Sequence, residues 1–192
     1  MSKQICNYIF ELGNLKKFRH SGTMFAGVQT PDSIAEHAYR AAMIGYLLAE
    51  MEGNKNPEKV AFICLLHDNA EARITDLHKV ARRYIETKKG ESQAHKEQLQ
   101  NLPPKLQKYF QELYLEYDDL STKEGVIAKD ADMIETAFQA KEYVDLGYKA
   151  CQDWIDNVAK CIKTKSAKKL LKEMAKVQFT DWWRGLKKIE GY

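Results

Sequence analysis

The sequence lacks the features of a membrane, secreted or disulfide-bonded protein. None of its apolar runs approaches the roughly 20 residues that a helix needs to span a bilayer. The first residues, Met1 to Asn7, do not contain the long apolar core of a signal peptide. Only four cysteines occur, and they form no Cys-x-x-Cys pair, so we interpret them as free thiols in a reducing compartment. These absences favour a cytoplasmic location.

Alternating strand patterns are also missing, and nearly every periodic segment has helical spacing. The chain has 192 residues, of which 44% are hydrophobic and 30% are charged, as in a globular domain of ordinary size. We expect one all-α, bundle-like domain over residues 1–192, with basic amphipathic helices from about residue 149. The helices are expected at about 2–17, 33 to the break at 53, 57–69, 104–119, 122–146 and 151–186, with one or two more between 81 and 104. Ser33 and Glu36 form a capping box that predicts the start of the second helix, and Thr122 and Ser166 are candidate caps of later helices. The apolar rows of their helices place His37 and Asp132 on buried faces.

Four residues that can bind a metal lie inside apolar helical segments: His37, His67, Asp68 and Asp132. Each alone has a simpler explanation, such as a core histidine or an ion pair between Asp132 and Lys129. A buried carboxylate, however, needs a partner, a proton or a metal ion. Two imidazoles and two carboxylates without a thiolate suit a hard or borderline divalent ion. The set therefore predicts a metal-dependent hydrolase.

In this order, His37, His67-Asp68 and Asp132 resemble the H…HD…D signature of the HD-domain metal-dependent phosphohydrolases. The flanking segments 31–37, 67–71 and 129–135 make the chain similar to the branch that includes the 5'-deoxynucleotidases, and the likeness covers roughly residues 15–143. It implies a compact HD-domain helical bundle and one divalent ion, which the ligand types leave open among Mn, Co, Fe, Ni, Mg and Zn. It also implies hydrolysis of (deoxy)nucleoside 5'-monophosphates to nucleoside and phosphate. Asp130 does not match the signature and is expected to be a bystander.

The resemblance implies two further acidic residues at the site. Glu71 follows His67 by four residues and is expected to act as general acid or base, although an exposed glutamate paired with Arg73 would have the same spacing. Asp76 is expected to help position water or substrate. Its alternative role is an N-cap for the segment 77–80.

The segment expected to bind the substrate's phosphate departs from the family pattern. Family members usually carry Arg-x-Gly-Trp where this chain has the sequence His-Ser-Gly-Thr at 20–23, with Arg19 one position earlier. Either Arg19 or His20 is therefore expected to contact the phosphate. Because Thr23 replaces a large aromatic, the choice between ribose and deoxyribose stays open. His78 and His95 lie in polar sequence and are expected at the surface.

Two other functions remain as alternatives. From Lys160 to the end, the sequence contains ten Lys or Arg residues and three acidic ones. Within 160–188, Phe179, Trp182 and Trp183 are interleaved with the basic residues. This composition is compatible with a nucleic-acid-binding module, but is more typical of an amphipathic helix that packs its aromatics on the core. The second alternative is a non-catalytic HD scaffold that senses a nucleotide. The expected partner is a nucleoside monophosphate substrate. The chain is also expected to form a homo-oligomer, with a dimer favoured, and to bind neither nucleic acid nor a membrane.

Overall fold

The computed structural model describes residues 2–186, and the architecture of this part is all-α, as expected. No strand occurs in the described residues, where an isolated bridge pairs Arg19 with Ser33. The α-helices are α1 Ser2–Leu12, α2 Ile34–Met51, α3 Pro57–Leu66, α4 Glu71–Ile74, α5 Thr87–Leu99, α6 Pro104–Asp119, α7 Lys123–Asp145, α8 Gln152–Cys161 and α9 Lys165–Met174. Short 3-10 helices cover Gly13–Lys16, Thr23–Ala26, Ala81–Arg83, Lys149–Cys151 and Asp181–Trp183.

The core forms where α2, α3, α6 and α7 pack against one another. α2 and α3 approach closely at Gly45, where a Cβ atom would lie only 2.8 Å from the Cys64 sulfur. Ala41, Leu48 and Ile134 are among the fully buried side chains that fill the interface with α7. The close packing of these helices fixes the relative positions of their inward faces, on which the candidate site residues lie.

The start signals of α2 and α7 are confirmed, whereas several helix ends differ from the prediction. Ser33 and Glu36 form the expected capping box at the start of α2, and Thr122 caps α7. The first helix ends at Leu12 and continues as the 3-10 helix Gly13–Lys16, after which the amides of Lys17 and Phe18 both bond to the Asn14 carbonyl. The third helix ends at Leu66 rather than at residue 69. The His67 amide still bonds four residues back, but the amides of Asn69 and Glu71 bond three residues back and tighten the chain into turns.

The C-terminal part differs more. Two amphipathic helices are present, α8 and α9, but α9 is capped by Thr164 and not by Ser166. The prediction that the aromatics pack on the core is wrong for Trp182 and Trp183, whose exposed fractions are 76% and 51%. Residues 187–192 of the basic segment lie outside the described residues.

None of the described helices combines the length and the apolar character that crossing a membrane requires. The four cysteines are free thiols: Cys64 and Cys151 are buried, and Cys6 and Cys161 are exposed. Cys64 packs in the hydrophobic core.

Candidate metal centre

Four side chains converge from three parts of the chain. His37 lies near the start of α2, His67 and Asp68 follow the last turn of α3, and Asp132 lies on α7. His37 Nε2 is 3.4 Å from His67 Nε2 and 3.3 Å from Asp132 Oδ1. Asp68 Oδ2 lies 3.0 Å from His67 Nε2 and 3.8 Å from His37 Nε2. We refer to these four residues as the His/Asp cluster.

Hydrogen bonds on the far side of each imidazole turn its Nε2 toward the centre of the cluster. His67 Nδ1 lies 2.7 Å from the Cys64 carbonyl oxygen, and because a carbonyl only accepts, Nδ1 carries the hydrogen. His37 Nδ1 donates to the carboxylate of Glu135. When the rings are neutral, the lone pair of each Nε2 is therefore available to a cation inside the cluster.

The two oxygens of Asp132 are used differently. Oδ2 accepts hydrogen bonds from the Tyr117 hydroxyl at 2.6 Å and from Lys129 Nζ at 2.9 Å. Oδ1 faces the imidazoles, 3.3 Å from His37 Nε2 and 3.7 Å from His67 Nε2. The ion pair with Lys129, which the sequence offered as an alternative to metal binding, is thus present together with the cluster geometry.

Burial and the neighbouring carboxylates act in opposite directions on the imidazoles. Burial lowers the pKa of His67, but Asp68 and Asp132 outweigh this effect and raise the pKa to about 10. In the same way, burial lowers the pKa of His37, but Glu135 and Asp132 raise it well above its ordinary value. Burial raises the pKa of Asp68, yet the imidazole of His67 brings it far below its usual range. The cluster therefore has a strongly negative potential that protons or a cation can satisfy.

The donor set fits a divalent cation. Ligand atoms about 2.1 Å from one ion lie about 3.0 to 3.5 Å apart at angles of 90° to 110°. The separations given above, 3.0 to 3.8 Å, are close to that range. Two carboxylates also neutralise a dication, and two imidazoles add affinity without requiring thiolate. The chain therefore carries a site suited to a divalent metal ion.

Glu71 adds a buried carboxyl group beside the cluster. It lies at the start of α4, and one of its carboxyl oxygens comes within 4.8 Å of ligand atoms of Asp68 and His20. The Oε2 atom of Glu71 has no hydrogen-bond partner among the described residues. Burial, with the charges of Asp68 and Asp76, raises the pKa of Glu71 to about 9. The alternative of an exposed glutamate paired with Arg73 is wrong.

Asp76 binds the loop that carries His20 and does not cap a helix. Its Oδ2 accepts hydrogen bonds from the Ser21 amide at 2.6 Å and from the Ser21 hydroxyl at 3.0 Å. No helix begins at residues 77–80, so the N-cap alternative is wrong. A role in positioning water or substrate stays a prediction.

Of the two residues expected to contact phosphate, His20 faces the cluster and Arg19 does not. The bridge between Arg19 and Ser33 makes this segment extended, so successive side chains point to opposite sides. Arg19 Nη1 donates to Glu36 and to the carbonyl of Pro31. The His20 ring lies 4.8 Å from the ring of His37, and its Nδ1 is 2.9 Å from Asp32 Oδ2.

Two further cations lie close to the cluster and were not singled out from the sequence for this role. Lys129 Nζ reaches Asp132, as described above. Arg82 lies in the 3-10 helix after α4, with Nη2 3.8 Å from Glu71 Oε1 and 3.4 Å from Glu91 Oε1. Arg82 Nε donates to the Leu77 carbonyl at 2.7 Å, which holds the guanidinium over this side of the site. No periodic signal marks residue 82, because the segment between α4 and α5 is irregular.

The sequence analysis also did not identify the residues that hold His37 from the side facing away from the cluster. Glu135 is buried and contacts both His37 and Arg40. The signal was present in the spacing, since Glu135 follows Asp132, and Arg40 follows His37, by three residues on a helix. Tyr117 comes from α6 and could not be found in this way.

Two other residues of interest lie apart from the proposed ligands. Asp130 points away from the cluster and accepts hydrogen bonds from the amides of Lys163 and Thr164, which ties it to the start of α9. The surface position predicted for His95 is wrong, because His95 is buried against Tyr114. Burial lowers the pKa of His95 to about 3. His78 is half-buried and packs edge-on against Phe25.

Comparison with known proteins gives consistent matches. A family model described as HD domain matches residues 12–175. The human 5'-deoxynucleotidase HDDC2 is 31% identical over 161 residues, covering 82% of this chain and 78% of the human protein. The Schizosaccharomyces pombe 5'-deoxynucleotidase hdd1 is 33% identical over 147 residues, which cover 74% of this chain and 73% of the yeast protein. A conserved hypothetical protein from Pyrococcus furiosus superposes with a TM-score of 0.76 at 30% identity, covering 90% of this chain and 99% of that protein.

Proposed function

Because this chain belongs to the HD-domain family, we propose that it is a 5'-nucleotidase that hydrolyses (deoxy)nucleoside 5'-monophosphates to nucleoside and phosphate. It is a metal-dependent phosphohydrolase in the same class as its 5'-deoxynucleotidase relatives. The observation that carries the proposal is the His/Asp cluster, whose four donor atoms face one another beside the buried carboxyl group of Glu71. We propose one divalent ion in this cluster, bound by His37, His67, Asp68 and Asp132.

When bound, the divalent ion supplies Lewis acidity toward a phosphate oxygen and toward the attacking water. The protein's part is to orient that chemistry. The Nδ1 hydrogen bonds of His37 and His67 fix both rings, while Tyr117 and Lys129 fix Asp132 through its Oδ2. Donors held in advance need little reorganisation during the reaction.

Glu71 is proposed to move the proton. Its raised pKa keeps a proton on the carboxyl group near neutral pH, and Oε2 has no other partner in the part of the chain that the structure describes. A bound dication would offset the charge of Asp68 and bring the pKa of Glu71 down toward the working pH, where general acids are most effective. Glu71 would then protonate the leaving 5'-oxygen.

Two cations lie beside the cluster and Glu71, namely His20 and Arg82. Burial lowers the pKa of His20, but the bond to Asp32 raises it above the ordinary value, so part of the population is charged near neutral pH. We propose that His20 contacts the phosphate and that Arg82 supplies the guanidinium that Arg19 does not. Asp76 holds the loop of His20 through Ser21.

The test is phosphate release from a panel of ribo- and deoxyribonucleoside 5'-monophosphates, in EDTA and with Mn²⁺, Co²⁺ or Mg²⁺. We expect turnover only with metal, and its loss in Asp68→Asn but not in the control Asp119→Asn, which alters an exposed carboxylate. Activity in EDTA, or in Asp68→Asn, would refute the proposal. Both sugars belong in the panel because Thr23 occupies the position of the family's aromatic. Nucleotide binding without phosphate release would support the scaffold alternative.

The homodimer and the cytoplasmic location also stay proposals. A row of exposed apolar side chains runs along α2 at a spacing of four residues, at Tyr39, Met43, Leu47 and Met51. This row offers a surface that a second copy would bury.

The free cysteines suit a reducing compartment. We further treat residues 1–192 as one domain, of which the family model covers residues 12–175.

A further inference from the structure

A buried carboxylate to which the proposed reaction assigns no role connects the two helices that carry His37 and Asp132. Glu135 on α7 has an exposed fraction of only 2%. One of its oxygens accepts the hydrogen of His37 Nδ1, and the other accepts a hydrogen bond from Arg40 Nε at 2.7 Å. Both oxygens are thus occupied on the side of His37 that faces away from the cluster.

Arg40 is itself held at every edge of its guanidinium group. Nη1 donates to Glu142 Oε1 at 2.5 Å, and Nη2 donates to Gln139 Oε1 at 2.7 Å. Glu135, Gln139 and Glu142 follow one another along one face of α7. We call these four residues the bracing network. The network begins one helical turn beyond a proposed ligand on each helix, at Arg40 after His37 and at Glu135 after Asp132.

Stability alone does not explain this arrangement. Replacing a buried ion pair by well-packed apolar side chains is often neutral or stabilising, because the desolvation of the charges costs as much as their attraction returns. A carboxylate behind a ligating imidazole, in contrast, fixes the tautomer and the orientation of the ring and makes the ring a stronger donor.

We propose that Glu135, held by Arg40, is a positioning residue that sets His37 Nε2 for a divalent ion. The inference rests on the proposed function in one respect, namely that His37 is a metal ligand. Glu135 does not face the reacting atoms. It acts through the imidazole of His37. Replacing Glu135 should therefore lower the affinity for the metal ion more than it lowers the stability of the folded protein.

The competing explanation is that the network only ties α2 to α7. Glu142 provides a matched control, because it contacts the same arginine between the same two helices and makes no contact with His37. Mn²⁺ titrations of the full chain by calorimetry, without substrate, should show binding 10- to 100-fold weaker in Glu135→Gln. Glu142→Gln should bind Mn²⁺ like the wild type, and Glu135→Asp should lie between. Equal affinity in Glu135→Gln and wild type, or equal weakening in both glutamine variants, would overturn the proposal.

A second measurement keeps the proposal testable if Glu135→Gln does not fold. In ¹⁵N spectra of the wild-type imidazoles with Zn²⁺ bound, His37 should be protonated at Nδ1 and unprotonated at Nε2. A proton on Nε2 with a bare Nδ1 would contradict the role of Glu135. If wild-type protein bound neither Mn²⁺ nor Zn²⁺, the proposed function would fail instead, so the two failures are distinguishable.

Discussion

Without a metal ion, the protein should lose stability as the pH rises. The carboxylates of Asp68 and Asp132 raise the pKa of His67 from its ordinary 6.5 to about 10 in the folded protein. A group whose pKa is raised on folding contributes stability that is fully present below the unfolded pKa. This contribution is lost as the pH rises through the folded value. For His67 the loss begins near pH 6.5 and is complete above about pH 10.

The structure also sets the size of the effect. At 1.36 kcal/mol per pKa unit, the full difference corresponds to about 5 kcal/mol, of which about 3 kcal/mol is lost between pH 6.5 and 9. The His67 side chain is only 2% exposed, so solvent screens this interaction little. In a chain of this length 1 kcal/mol moves Tm by about 2–4 °C, which gives a decrease of roughly 10 °C over that range. A bound dication takes the place of the protons, so the decrease should largely disappear with metal present.

The assay is thermal unfolding between pH 6.5 and 9, in EDTA and in excess Mg²⁺. Other groups titrate in both conditions. The quantity to compare is therefore the slope of Tm against pH in EDTA minus the same slope in Mg²⁺. His67→Gln removes the titrating imidazole and should flatten the slope in EDTA, whereas the control His78→Gln should retain it. The reasoning would be refuted by equal slopes for wild type and His67→Gln in EDTA. Equal slopes of the wild type with and without metal would refute it as well.

Three further predictions concern activity and assembly. Glu71→Gln should lower kcat by 10²- to 10⁴-fold while Mn²⁺ affinity is retained, as judged by steady-state kinetics and calorimetry; an unchanged kcat would remove Glu71 from the proton transfer. Arg82→Ala should raise KM for nucleoside monophosphates and weaken inhibition by inorganic phosphate, whereas Arg83→Ala, at the exposed neighbouring position, should change neither; equal effects would indicate only a general charge contribution. Met43→Lys should convert a dimer to a monomer in light scattering after gel filtration, and an unaffected dimer would exclude the α2 row as its interface.

Helical periodicity predicted the parts of the site that lie on regular helices. The capping box at Ser33 fixed the start of α2, so the inward direction of His37 followed from its place in the apolar row. The position of Asp132 on the inner face of α7 followed in the same way. For such residues the sequence pattern predicts which way the side chain points, because successive side chains of a helix are rotated by a constant angle.

The irregular segments were predicted less well, for physical reasons. Which of Arg19 and His20 faces the cluster depends on one isolated bridge, and a shift by one residue would exchange them. His95 belongs to a polar helix, yet its burial depends on α6 packing over it, which no local pattern reveals. Arg82 reaches the site through an irregular connection that carries no periodic signal.

The residues that surround the proposed ligands explain why burial and chemistry coincide at this site. Two carboxylates near two imidazoles would be costly in a buried place unless each charge had a fixed partner. The partners are residues that contact the proposed ligands from outside the cluster. Tyr117 and Lys129 donate hydrogen bonds to Asp132, and Glu135 accepts one from His37. Each of these partners bonds to the atom that faces away from the cluster, so satisfying the buried charge also turns the remaining donor atom inward. The interactions that make the buried charges tolerable are therefore the same ones that prepare the site for a cation.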